Sequence, residues 1–548
     1  MSTALARPAT RGRRMRVEPG MVFLMAILLA VLLAFVIYPT WKVLAYPGLE
    51  DYRDVLSRPR WLTAARNSLV ITLLSTACAT LLGAVFAFAL TRRDIPLRRV
   101  FRFTSMLPLF APPFMVAFAY ILMFGRQGLI SHQLLGFSPD IFGWKGLLLS
   151  QTIAFFPLAT MIIKGVLEGI HPGLEQAALT LGATEGRALA TVTIPLAAPG
   201  LVGAMLVVAI TVLADFGNAV VIAGNYPLLA TEAWFLLEGL AELKAAAVVV
   251  AALLVPTVAL FVASRWWNAR HSFVTVAGRG SDVDQIATPA LVKWAVVAIC
   301  SVACLLVVVV YIGIALAGLV AVWGNDWTPT LSHWREALNH GDAIWASLKM
   351  SFFAGLVTAV LAQVAAFIHS RNLPGSRLVD FLAVLPGALP GVFIGVGFVL
   401  AFNAPPIELA GTMWIIVFAL GLWHLPTAYQ ATSAALSQIH KSIEDAARNL
   451  GASEVRLVSD VYAPMLTRSL AASFLQSFVR SVSNVSVVVF LVAPGNVVVT
   501  FVILQMIGGA NWSGAAALTT LLLLVTFACV GVAALLAGRL TPAMRGVS

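Results

Sequence analysis

Charge is what this chain has little of. Only 11% of its 548 residues are Asp, Glu, Lys or Arg, 60% are hydrophobic, and the mean hydropathy is +0.93. A soluble domain carries about 25% charged residues, so that class is excluded. Apolar runs reach roughly 18 residues or more, the length of a bilayer core, and lack the period-2 alternation of a β-barrel. The chain therefore reads as an all-α polytopic membrane protein. Cysteine is also scarce, with Cys78, Cys300, Cys304 and Cys529 all inside apolar runs. Cys300 and Cys304 have no His or carboxylate close by in sequence, so no metal is assigned to them. No GxxxxGK[ST] loop is present, so the chain has no phosphate cradle for ATP. No His/Asp/Glu cluster has catalytic spacing, which argues against an enzyme. The net charge of +11 is not interleaved with stacking aromatics, which argues against nucleic acid.

Hydropathy places spans near 21–39, 63–90, 104–124, 145–166, 199–222 and 246–266, then 291–321, 343–368, 381–402, 411–433, 468–492 and 514–537. That is about twelve transmembrane helices in two sets of six. Basic residues sort to one side. Arg7, Arg11, Arg13, Arg14 and Arg16 share it with Arg92, Arg93, Arg98, Arg99 and Arg102, and with Arg371 and Arg377. The positive-inside rule makes that side cytoplasmic, with both termini. No small-x-small site follows Tyr38-Pro39-Thr40-Trp41, so the first span is expected to be retained. The expected organisation is a tail at 1–20, a unit at 21–266, a polar linker at 267–290, a second unit at 291–537 and a tail at 538–548.

One polar device is written twice. EQAALTLGATEGRALATVTIP at 175–195 and EDAARNLGASEVRLVSDVYAP at 444–464 align without a gap at an offset of 269. Glu175, Ala177, Ala178, Leu181, Gly182, Ala183, Glu185 and Pro195 recur as Glu444, Ala446, Ala447, Leu450, Gly451, Ala452, Glu454 and Pro464. Leu107-Pro108 and Pro112 recur as Leu385-Pro386 and Pro390, and Gly224-Asn225 as Gly495-Asn496. Both polar stretches, within loops 168–198 and 437–467, fall on the basic side. The spacing predicts a short helix ended by Gly182 at positive φ, then a second short helix over 184–193 stopped by Pro195. A duplicated polar loop suggests a two-fold docking site for a dimeric soluble partner.

The loops resemble the signature of permease subunits of importers driven by ATP-binding cassettes: Glu-Ala-Ala, three residues, Gly, then nine residues to Ile-x-Leu-Pro. The match rests on Ala177, Ala178, Gly182 and Pro195, and on Ala446, Ala447, Gly451 and Pro464. It departs where the signature Glu is Gln176 and Asp445, the Ile is Val192 and Val461, and the Leu before Pro is Ile194 and Ala463. The resemblance implies that the first short helix of each loop is a coupling helix docked on an ATPase. It implies a homodimeric ATPase partner that carries ATP and Mg, with no cofactor in this chain. It implies a periplasmic or lipoprotein binding protein outside, and a bacterial inner membrane. Two units in one chain, with LADFGNAVVIAGNYPLLATEAW at 213–234 and SVSNVSVVVFLVAPGN at 481–496, look like the fused ferric-iron branch. Phosphonate, sugar phosphate, thiamine and polyamine stay open as cargo, and a fused secondary carrier is the alternative class.

Charges inside spans are costly and usually face an interior cavity. Asp215 and Arg480 are the clearest, and the offset of 269 sets Asp215 against Asn484. With Asn218, Ser483 and Asn484 they are candidates for the translocation path, Asp215 nearest the outer end. Gly387, Gly391 and Gly395 suggest close helix packing. Lys164, His424 and Glu408 read as interfacial residues near span ends.

Overall fold

A computed structural model describes residues 19–270, 286–371, 373–452 and 456–539. The five tail arginines, most of the linker, Glu454 and nearly all of the C-terminal tail lie outside the described residues. Within them the regular structure is helical apart from one short hairpin, Val320–Val322 against Asp326–Pro329, between the seventh and eighth spans.

Among the described residues, nine helices are long and apolar enough to cross a membrane. The other three expected spans are present but built differently. The ninth is bent by 110° between Ser376–Ala388 and Gly391–Phe402. Its cause was visible as the repeated prolines: Leu385–Ala388 is a 3₁₀ turn, and Leu389 is extended ahead of Pro390. The matching 3₁₀ turn Leu107–Leu109 breaks the start of the third span, which crosses as Phe114–Leu134. The tenth is divided at His424 into Met413–Trp423 and Leu425–Ser437. His424 is 6% exposed, so it is a buried break in the span and not the interfacial residue expected. Lys164 pairs with Glu168 at 2.9 Å, and Glu408 is exposed. The eleventh, Ala463–Val482, carries Arg468 and Arg480, which lower its apolarity.

The fifth and eleventh spans also shift. They were expected over 199–222 and 468–492, yet the helices stop at Leu213 and Val482. They start earlier too, because among the described residues the second loop helix is continuous with the span. Glu185–Ala188 runs through a π-turn at Leu189–Thr193 directly into Ile194–Leu213. Leu457–Tyr462 does the same before Ala463. Pro195 and Pro464 sit just after the wide turns, where a missing N–H is tolerated.

The first span of each unit reaches across to the other half while still touching the last span of its own. Pro19–Ala45 packs on the second half: the Phe35 ring stacks on Phe418 at 4.5 Å and meets Phe402 at 5.2 Å. A methyl group on Gly397 would meet Val43 at 3.2 Å. The seventh span, Ala290–Ala317, packs on the first half, where Tyr311 donates to the Leu107 carbonyl at 2.7 Å and Gly313 accepts the Met123 side chain. One test is a chain with Val43→Cys, Gly397→Cys and a protease site within 271–285. After oxidation and cleavage its halves are expected to stay joined on a non-reducing gel; free halves would refute the exchange.

Candidate functional site

Each loop helix is a short, capped element. His171 precedes Pro172–Thr180 and its Nδ1 accepts the Gly173 N–H at 3.1 Å. At the offset of 269, His440 precedes Lys441–Asn449 and accepts the Ser442 N–H at 3.3 Å. Both helices end in a left-handed glycine, Gly182 at φ +89 and Gly451 at φ +82, as the spacing predicts.

Glu175 does not face outward. It is buried, takes a bidentate pair from Arg92, and accepts a further bond from Thr193. Glu444 repeats this with Arg371 and with the Tyr462 hydroxyl, which donates at 2.8 Å. Thr193 and Tyr462 are the same position at offset 269. Arg92 and Arg371 lie over the rings of Phe88 and Phe367, four residues before each. The two glutamates therefore pin the loop helices to the second and eighth spans and do not face outward. The sequence reading missed the partners. Their signal was the pair Phe88-x-x-x-Arg92 and Phe367-x-x-x-Arg371 at a second fixed offset, 279.

Burial pushes the Glu175 carboxyl up, but the bonds from Arg92 and Thr193 and the charge of Arg92 outweigh it and hold it below the ordinary range. A carboxylate with a depressed folded pKa stabilises fully above its unfolded value of about 4.3 and loses this as pH falls through the folded value. Hydrogen-exchange protection of Pro172–Thr180 is thus expected to stay flat from about pH 8 to pH 5 and fall below about pH 4. Loss already near pH 6 would contradict the anchor.

The outward face is apolar. Leu174 and Leu181 are 48% and 88% exposed, and their counterparts Ile443 and Leu450 are 40% and 89% exposed. Gln176, Ala177, Asp445 and Ala446 lie exposed between them, with Ala178 and Ala447 half-buried. These are large apolar side chains standing off a polar loop at positions matched between the two units.

The path candidates divide into two groups. Asp215 is 7% exposed and its oxygens are taken: Gln151 and Asn218 side chains donate at 3.0 and 3.1 Å, and the Asn218 N–H at 3.2 Å. Asn484 caps the next turn in the same way, accepting the Val487 N–H at 3.0 Å. These two residues hold the breaks that end the fifth and eleventh spans. Asp215, expected to meet arriving cargo, is instead enclosed by chain partners. Ser483 donates to the Phe110 carbonyl at 3.4 Å and so ties the second half to the first. Beyond the breaks the halves meet ring to ring, Phe216 against Phe490 at 6.1 Å, both buried. Gly395 lies directly on Phe490, and Gly391 on Ser486 and Val487. The glycine ladder thus lets the broken segment approach. Arg480 is not paired with Asp215; it is exposed, on the side where His424 is within its electrostatic reach.

Residues 79–272 and 352–546 each match the family model described as binding-protein-dependent transport system inner membrane component. Both matches begin after the exchanged first and seventh spans. A ferric transport system permease protein of Actinobacillus pleuropneumoniae is 29% identical over 94% of this chain and 79% of its own length. A putative ferric transport system permease protein of Haemophilus influenzae is 30% identical over 87% and 79%. A molybdenum transport system permease protein of Escherichia coli is 32% identical over 32% of this chain and 76% of its own length, one unit's worth.

Proposed function

The chain belongs to the family of binding-protein-dependent transport system inner membrane components, and we propose that it forms the membrane path of a ferric-iron importer driven by a separate ATPase dimer. It is a fused two-unit permease of the ferric-type branch, a multi-pass inner-membrane protein and a transport subunit. The observation that carries the reading is the pair of pinned loop helices, each offering the same apolar knobs outward. Two equal sockets at one end of a two-fold repeat suit a homodimeric soluble partner. ATP and Mg belong on that partner.

The positive-inside rule supports a cytoplasmic position for this face, with a binding protein delivering cargo at the opposite one. Closure of the ATPase dimer draws the loop helices together. The Arg92–Glu175 and Arg371–Glu444 pairs carry that motion into the second and eighth spans. Rocking of the two halves then opens the Phe216–Phe490 contact and closes the loop side, a two-state switch biased by nucleotide. Iron as cargo is supported by the names of the relatives that align along most of the chain.

The test is to capture the binding protein on this permease in nanodiscs and titrate it by calorimetry with ferric iron, 2-aminoethylphosphonate, a sugar phosphate, thiamine and spermidine. Tight ferric binding supports iron. Binding of another cargo removes iron and leaves the importer.

A further inference from the structure

Arg468, Ala472, Gln476 and Arg480 recur every four residues along the eleventh span, and all four are exposed. Four-residue steps keep side chains on one slowly winding stripe, here about 18 Å long at 1.5 Å per residue. The stripe climbs from the loop end of the span toward the break at Ser483. The tenth span packs beside it, with Ser469 donating to Thr432 at 3.3 Å. Its exposed face there is also small or polar: Thr427, Gln430, Ala431 and Ala434. The exposed surface of the apolar spans is different, made of large side chains such as Leu73, Leu81, Val255 and Leu305. An arginine at the centre of a lipid-facing span costs about 2.5–3.5 kcal/mol even on the gentlest scale. Two adjacent exposed polar faces therefore run side by side as one wall, from the loop end toward the break.

That wall is positive, and among the described residues neither Arg468 nor Arg480 is in an ion pair. Asp215 is enclosed by Gln151 and Asn218, and Asp380 is held by the Tyr429 hydroxyl at 2.7 Å and by Arg265 at 3.6 Å. No group of three or more His, Cys, Asp or Glu side chains converges to hold a metal among the described residues. At the top of the stripe, beside Arg480, the buried His424 has an Nε2 without a hydrogen-bond partner. The equivalent positions of the first unit are Pro199, Gly203, Val207 and Thr211, so the charge is one-sided.

We infer that cargo passes this wall as an anion, so that iron, on the ferric reading above, crosses as a negatively charged chelate held by Arg468 and Arg480. A bare trivalent cation is repelled by both guanidiniums; a ferric complex whose ligands carry more than three negative charges is attracted.

The experiment uses the full chain with its ATPase and binding protein in proteoliposomes, and doubly labelled ferric citrate and ferric phosphate. Variants are scored only if they still co-purify with the ATPase. Wild type is expected to bring in labelled anion with iron at a fixed ratio. Arg480→Gln is expected to lower iron uptake roughly tenfold, equivalent to about 1.4 kcal/mol, while Arg480→Lys keeps most of it. Iron entering without labelled anion would overturn the inference, as would full uptake in an Arg468→Gln/Arg480→Gln chain. If no iron form is imported, the ferric reading fails by itself. Uptake of an organic phosphonate that is lost in Arg480→Gln then still supports the positive wall, and uptake of spermidine or thiamine overturns it.

Discussion

Replacing Leu181 and Leu450 together by aspartate is expected to abolish both co-purification with the ATPase and ATP-driven uptake. These side chains are 88% and 89% exposed, just past short helices that Glu175 and Glu444 tie to the spans on the other side. Burying a leucine in a partner's groove contributes roughly 1.5–3 kcal/mol, and forcing a carboxylate into that groove costs more. Two such losses, one per socket, amount to at least about a thousandfold in affinity. Either single replacement is expected to weaken binding less, because the other socket remains. Leu49, also 89% exposed but outside both loops, provides the control: Leu49→Asp leaves association intact. Normal association of the double variant, measured by pull-down and by uptake, would remove these helices from the docking surface.

Glu175→Ala is expected to uncouple the machine while leaving the docking face present. Arg92 and Glu175 are 6% and 4% exposed, so removing one leaves a buried charge without its partner, at a cost of about 3–5 kcal/mol. The loop helix then loses its tie to the second span, and ATP is hydrolysed without matching uptake. The ratio of ATP consumed to cargo imported should rise several-fold. Arg92→Leu/Glu175→Leu is expected to recover part of the coupling, since paired apolar residues remove the stranded charge. Glu444→Ala should cost less, because Arg371 and Glu444 are 11% and 20% exposed. A Glu175→Ala chain with an unchanged ratio would make the pair structural decoration.

The repeat, the fold class and the loop helices were legible because they depend on local rules: apolar run length, a glycine at positive φ, a proline after the turn. The limits of the fifth and eleventh spans were not. Their apolar runs continue past Asp215 and Asn484, and only the capping bonds to Asn218 and Val487 reveal that the helix has stopped. His424 was misplaced for a similar reason, since a single His in an apolar run marks a span end and a buried break alike. The anchor was half visible. Glu175 and Glu444 stood out as repeated acids, but their arginines lie 83 and 73 residues upstream, and only folding brings them together. Arg480 was legible as a cost; the exposed stripe below it appears once the tenth and eleventh spans lie side by side.

The exchanged first spans also set a schedule for synthesis. The Phe35 ring leaves the ribosome early, yet the Phe418 ring on which it stacks is made far later. At about 5–20 residues per second the wait is roughly 20–80 s. Throughout it the Pro19–Ala45 helix must sit in lipid without its second-half neighbours. The first unit is likewise incomplete until Ala290–Ala317 has been inserted. Each half therefore acts as the assembly clamp of the other. Joining them in one chain turns a search between two subunits into an ordered event on a single nascent polypeptide.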